Sequence, residues 1–121
     1  MEINIPGLDT KSGIELCDGS IETYIYSLRL YVSNVPASLE KMRNVSEETL
    51  RDYAISAHGV KSVSQYIGAQ EAIKTAKELE ALAKSGDLAG VLARNDAFIK
   101  YANNLLDSIK SWLEKNDSAG A

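Results

Sequence analysis

Apolar residues at Ile21, Ile25, Leu28, Val32, Val35, Leu39 and Met42 recur in steps of four and three. That spacing lines one face of an α-helix over about six turns. Pro36 falls inside the run and lacks a backbone donor, but the seam resumes in register behind it. The pattern therefore predicts a kinked helix rather than an ended one. Asn44 closes this helix, and Ser46 is placed to cap the next, with Glu47 and Glu48 in its first turn. Val45 and Leu50 are spaced to meet across that cap. A second long helix follows from about Glu47 to Ile67 on the seam Leu50, Tyr53, Ala57, Val60, Ser64 and Ile67. Gly68-Ala69 turns the chain into a third, with Ala72, Ile73, Ala76, Leu79 and Ala83 as its buried stripe. Ser85-Gly86 supplies a residue that tolerates the left-handed conformation and ends it. Asp87 caps the last helix, whose seam is Val91, Asn95, Phe98, Ala102, Leu105, Ile109 and Trp112.

The ends are less patterned. Residues 1–8 read as a loose, extended lead-in punctuated by Pro6-Gly7. Asp9 offers an N-cap for a short helix through about Cys17, too short to stand alone and expected as a lid on one end of something larger. Asp18-Gly19-Ser20 marks the next start, and residues 116–121 read as a flexible polar tail. No stretch alternates like a strand, and no internal repeat is visible. Four amphipathic helices on short connections bury their stripes only against one another, with neighbours antiparallel. The expectation is an all-α, antiparallel up-down four-helix bundle over residues 9–115, with the short N-terminal helix capping it.

Composition narrows the function classes. The chain has 121 residues, enough for one core, and 45% of them are hydrophobic. A net charge of −4 with no Lys/Arg cluster argues against nucleic acid. No apolar run approaches the ~20 residues of a membrane span, and no secretory signal pattern opens the chain. The single Cys17 cannot form an internal disulfide and reads as a small buried apolar residue. A cytoplasmic location is the expectation.

One residue falls off the seam in a telling place. His58, the only histidine, lies on a flanking stripe with Ala54, Lys61, Ser62 and Gln65. Lys61 is one turn away, and Gly59 leaves the surroundings uncrowded. Neutral imidazole, with an unperturbed pKa of ~6.5, is a good nitrogen nucleophile near pH 7. Its other ring nitrogen needs an acceptor to fix the tautomer. Counting about ten residues each way from Gly68-Ala69 puts Glu80 level with His58. On this ground alone an orienting acceptor and a solvated surface carboxylate stand equal. Lys77 and Lys84 lie near the same end of the third helix. What is missing matters as well. There is no Gly-rich phosphate loop, and one His with one Cys makes neither an ordinary zinc site nor a di-iron bundle. Such a chain supplies a nucleophile and a surface, not a complete ATP-dependent active site.

The stretch His58, Val60, Lys61, Ser62 and then Ile67-Gly68-Ala69 resembles the signature of histidine-containing phosphotransfer (HPt) domains, and the helix pattern extends the resemblance over nearly the whole chain. The family's usual glycine after the lysine is Ser62 here, which is still small. The resemblance implies a phosphorelay intermediate in two-component signalling that accepts a phosphoryl group on His58. It implies Lys61 as electrostatic support and Glu80 as the residue that hydrogen-bonds the imidazole. Gly59, Ser62, Gln65, Lys77 and Lys84 become candidate partner contacts. The partners implied are response-regulator receiver domains, which bring the acceptor aspartate and Mg²⁺, and a sensor histidine kinase. No cofactor held by this domain, no nucleic acid, no membrane contact and a monomeric state complete the expectation. Three readings stay open beside it: a domain of a hybrid kinase rather than a free-standing protein, a chemotaxis-type substrate domain phosphorylated directly by a kinase domain, and a bundle that binds a receiver without exchanging phosphate.

Overall fold

The computed structural model describes residues 3–120, with side chains described through Asn116. The described residues form five helices: α1 (Thr10–Leu16), α2 (Ile21–Lys41), α3 (Leu50–Ile67), α4 (Gln70–Lys84) and α5 (Leu88–Gly120). Among the described residues there is no strand. α3 packs between α2 and α4, α5 packs on both α4 and α2, and α1 sits against α3 and α2. The flexible tail expected over 116–121 lies, from residue 117 onward, outside the described side chains.

The short helix is held by its cap and by a very close approach. The Asp9 carboxylate accepts from the Ser12 backbone N–H at 3.2 Å and from the Ser12 hydroxyl at 2.6 Å. The Asp9 N–H donates to the Gly68 carbonyl at 2.8 Å, which docks α1 on the turn between α3 and α4. Gly68 has φ of +73°, and the Asp9 backbone fills the place a side chain would need. Gly13 is pressed in the same way between the Tyr24 ring and the Ile67 backbone. The lead-in is not loose: Ile3 and Ile5 are both buried in the core. They bracket the exposed Asn4, the single polar residue between them.

α2 turns a different stripe inward from the one its isoleucines and valines suggest. Tyr24, Leu28, Tyr31, Val35, Leu39 and Met42 are buried, while Ile21, Ile25 and Val32 flank the core. Both stripes share Leu28, Val35, Leu39 and Met42, and the tyrosines settle which one faces in. Each buries a large ring and finds a partner for its hydroxyl. Tyr24 donates to the Ile67 carbonyl at 2.8 Å, and the Tyr31 hydroxyl pairs with Ser64 Oγ at 2.9 Å. Burial pushes both phenols up, Tyr31 to about 12. The helix continues through Pro36.

α3 begins at Leu50, three residues later than its pattern predicts. Ser46 does not cap it. The Ser46 N–H instead donates to Thr49 Oγ1 at 2.8 Å, and Thr49 N–H returns to the Ser46 carbonyl at 3.1 Å. This local turn takes up Glu47 and Glu48 before the helix starts. On α4, Ala72, Ala76 and Ala83 keep the inner face small where it meets α3, with Leu79 between them and Ile73 only half-buried. Asp87 Oδ1 accepts from Gly90 N–H at 2.8 Å at the start of α5, as its position predicts. The α5 seam is buried as far as Ile109, and Trp112 packs half-buried at its end. The polar member of that seam is explained. Asn95 accepts from the Tyr53 hydroxyl and donates to the Met42 carbonyl, both at 2.8 Å, joining α3, α5 and the end of α2.

Candidate functional site

The inner face of α3 fixes what the outer face presents. Ala57 and Val60 are buried, so His58 between them points away from the core, its side chain 56% exposed. The turn at Gly68 then folds α4 back alongside, and Glu80 comes level with the ring. His58 Nδ1 lies 2.9 Å from Glu80 Oε2. Unlike the imidazole, Glu80 is buried, only 5% exposed.

A buried carboxylate needs partners for both oxygens. Lys61 Nζ donates to Oε1 at 3.1 Å, and Lys84 Nζ reaches Oε2 at 2.8 Å, the oxygen His58 also uses. The Lys84 bond is the main reason the Glu80 carboxyl falls well below the usual carboxylate range, to about 2. The Lys61 and His58 bonds add to it, and burial opposes them. At neutral pH Glu80 is therefore an anion that can only accept. The ring nitrogen facing it carries the proton in the neutral imidazole, which leaves the Nε2 lone pair on the exposed side.

Of the candidate residues, His58, Lys61, Glu80 and Lys84 come together at one point. Gly59 is exposed beside the ring, and a Cβ added there would meet nothing within 4 Å. Ser62 is half-buried one turn on, and Gln65 is exposed two turns on. Lys77 is exposed one turn before Glu80 on α4 and takes no part in the carboxylate cluster.

Two contributors escape a reading by seams. An open groove of about 500 Å³ runs beside the ring, lined by Arg51, Ala54, Ile55, His58, Glu80 and Lys84. Arg51 and Ile55 were not among the candidates. Their signal was available: residues 51, 55, 58 and 62 follow the four-three-four spacing of one outward face. Ile55, 66% exposed, is an apolar residue on that face.

Among the described residues, no three His, Cys, Asp or Glu side chains are grouped as a metal ion would need, and no helix is long and apolar enough to cross a membrane. The arrangement can do one thing plainly: hold a single imidazole with one nitrogen proton-bearing and anchored, and the other bare and open to an incoming electrophile. Compared with protein-family models, curated proteins and solved structures, the chain finds no match.

Proposed function

We propose that the chain is a phosphorelay intermediate, built as an antiparallel up-down four-helix bundle with α1 as its cap and working in the cytoplasm. The observation that carries the reading is the exposed His58 ring anchored at Nδ1 by a buried, anionic Glu80 at 2.9 Å. The resemblance of the His58 stretch to HPt domains supports it.

The reaction needs little from this chain beyond positioning. The Nε2 lone pair attacks the phosphorus of a receiver's aspartyl phosphate. The N–P bond forms as the acyl P–O bond breaks, and that electron pair leaves on the aspartate carboxylate. The Nδ1 proton stays where Glu80 holds it, and the ring becomes a better donor as it takes on positive character. Lys61 adds positive charge beside the ring, and Mg²⁺ comes with the receiver. Small residues at Gly59 and Ser62 admit the partner, and the groove at Arg51 and Ile55 gives it an apolar, cation-rimmed edge. The reverse reaction hands the group to a second receiver.

The test is transfer from a phosphorylated receiver in Mg²⁺. Label on this chain that is acid-labile, alkali-stable and absent from His58→Gln supports the reading. Helical content should be unchanged in that variant, because the ring is mostly exposed. Transfer to His58→Gln sinks the site assignment. Label arriving from an isolated kinase domain, with none from receivers, replaces the relay with a kinase substrate domain.

A further inference from the structure

Two lysines reach the same carboxylate, and they do not do so alike. Lys61 is three residues beyond His58 on α3, its side chain only 22% exposed, and it bonds Oε1. Lys84 comes from the last turn of α4, its side chain 67% exposed, and it bonds Oε2. Oε2 is also the oxygen His58 uses, so the Lys84 ammonium stands two hydrogen bonds from the ring. Lys84 further lines the open groove with His58 and Arg51, whereas Lys61 does not.

Resting on the phosphorelay reading, we infer that Lys84, rather than Lys61, is the cation that crosses from Glu80 to the phosphoryl group on His58. Three physical arguments agree. First, release is easy for an exposed, solvated side chain and hard for a half-buried one. Withdrawing Lys61 would strip a buried carboxylate of its only partner on Oε1 among the described residues, whereas withdrawing Lys84 leaves the ring on Oε2. Second, phosphorylation makes the ring a stronger donor, so Oε2 keeps a charge-assisted partner after Lys84 departs. Third, a phosphoryl group on Nε2 carries about two negative charges into the groove and outcompetes a carboxylate already shared by two other donors. Lys61 then serves as a fixed counter-charge that holds Glu80 in place through Oε1. Lys84 is the exchangeable one.

Phosphoramidate, a small phosphoryl donor, removes partner docking from the comparison. Accumulation of phosphohistidine is followed by ³¹P NMR in wild type, Lys84→Met, Lys84→Arg and Lys61→Met, with melting temperature and the ¹⁵N shifts of the resting His58 ring measured in each. Lys84→Met is expected to slow accumulation about tenfold, less than the roughly hundredfold lost with a donor in an enclosed site, because this site is open. Its resting ring tautomer should hold, its melting temperature should fall less than that of Lys61→Met because the Lys84 side chain is largely exposed, and Lys84→Arg should recover most of the rate. Lys61→Met should chiefly lower the melting temperature. Equal rates in wild type and Lys84→Met overturn the inference while the relay reading stands, as does a larger rate loss in a still-folded Lys61→Met. A changed tautomer in Lys84→Met also overturns it, since Lys84 would then act through Glu80 on the ring. Wild type that takes no phosphoryl group from phosphoramidate or any receiver, with the fold intact, overturns both.

Discussion

His58 and Glu80 stand 22 residues apart on different helices, yet Nδ1 and Oε2 are 2.9 Å apart, one group in solvent and the other buried. Each half of that contrast has its own consequence. Exposure makes the ring reachable, and burial makes the carboxylate a rigid reference for it. Glu80→Ala should reduce phosphoryl acceptance by about tenfold or more by freeing the ring and its tautomer, within the range general for a lost positioning group. Glu80→Gln should lose less, because an amide oxygen still accepts from Nδ1. Initial rates from a phosphorylated receiver distinguish the two.

The same carboxylate makes stability depend on acid. Its pKa is lowered by folding, from an ordinary 4.5 to about 2. A group depressed in this way stabilises the fold fully above its unfolded value, and that contribution disappears as pH falls from about 4.5 towards 2. Urea unfolding of wild type and Glu80→Gln should therefore differ fully at pH 6 and converge only as pH approaches 2. A gap that stays constant over that range contradicts the ion-pair account.

Glycines separate structural from functional need. Gly59→Ala meets nothing and should stabilise α3 by about 1 kcal/mol, the usual gain for replacing a mid-helix glycine. Under the docking reading it should also slow transfer from a receiver while leaving transfer from phosphoramidate alone. Gly13→Ala runs into the Tyr24 ring and the Ile67 backbone, and should lower the melting temperature. Thermal melts of the two variants should move in opposite directions.

Much of this was written in the seams. Asp9, Ser20 and Asp87 start helices where their side chains predict, and Gly68 turns the chain where its freedom is needed. The α2 stripe was harder because Tyr24 and Tyr31 are apolar bodies with polar tips. Only the three-dimensional partners, the Ile67 carbonyl and Ser64, show that they belong inside. Ser46 and Thr49 compete for the same start, and no pattern of apolar positions decides between them. Ile3 and Ile5 offer too short a run for a period to declare itself. At the site, counting residues from a turn brought Glu80 level with His58, because rise per residue is fixed, while its orienting role came from the resemblance. Rotation of α4 about its axis is not fixed by counting, so the pairing of Lys84 with Oε2 and the absence of Lys77 from the cluster needed the structure. The groove at Arg51 and Ile55 lies between two helices and has no expression in either one alone.

Ile55 gives the groove its own test. Its side chain is 66% exposed, so Ile55→Asp should change stability by only about 0.5 kcal/mol, as surface changes generally do. Receiver binding should weaken about tenfold or more, the ordinary scale for an apolar anchor at a docking surface. Titration calorimetry against a receiver that accepts label from this chain measures it. Unchanged affinity would remove the groove from the partner surface.

The most direct measurement of the central claim is the position of the phosphoryl group on the ring. After transfer to ¹⁵N-histidine-labelled protein, ¹⁵N–³¹P coupling reports which nitrogen is bonded to phosphorus. With Nδ1 held against Glu80, the coupling should appear on Nε2 of His58 alone. Phosphorus on Nδ1, on another residue, or nowhere in a folded protein would contradict the account.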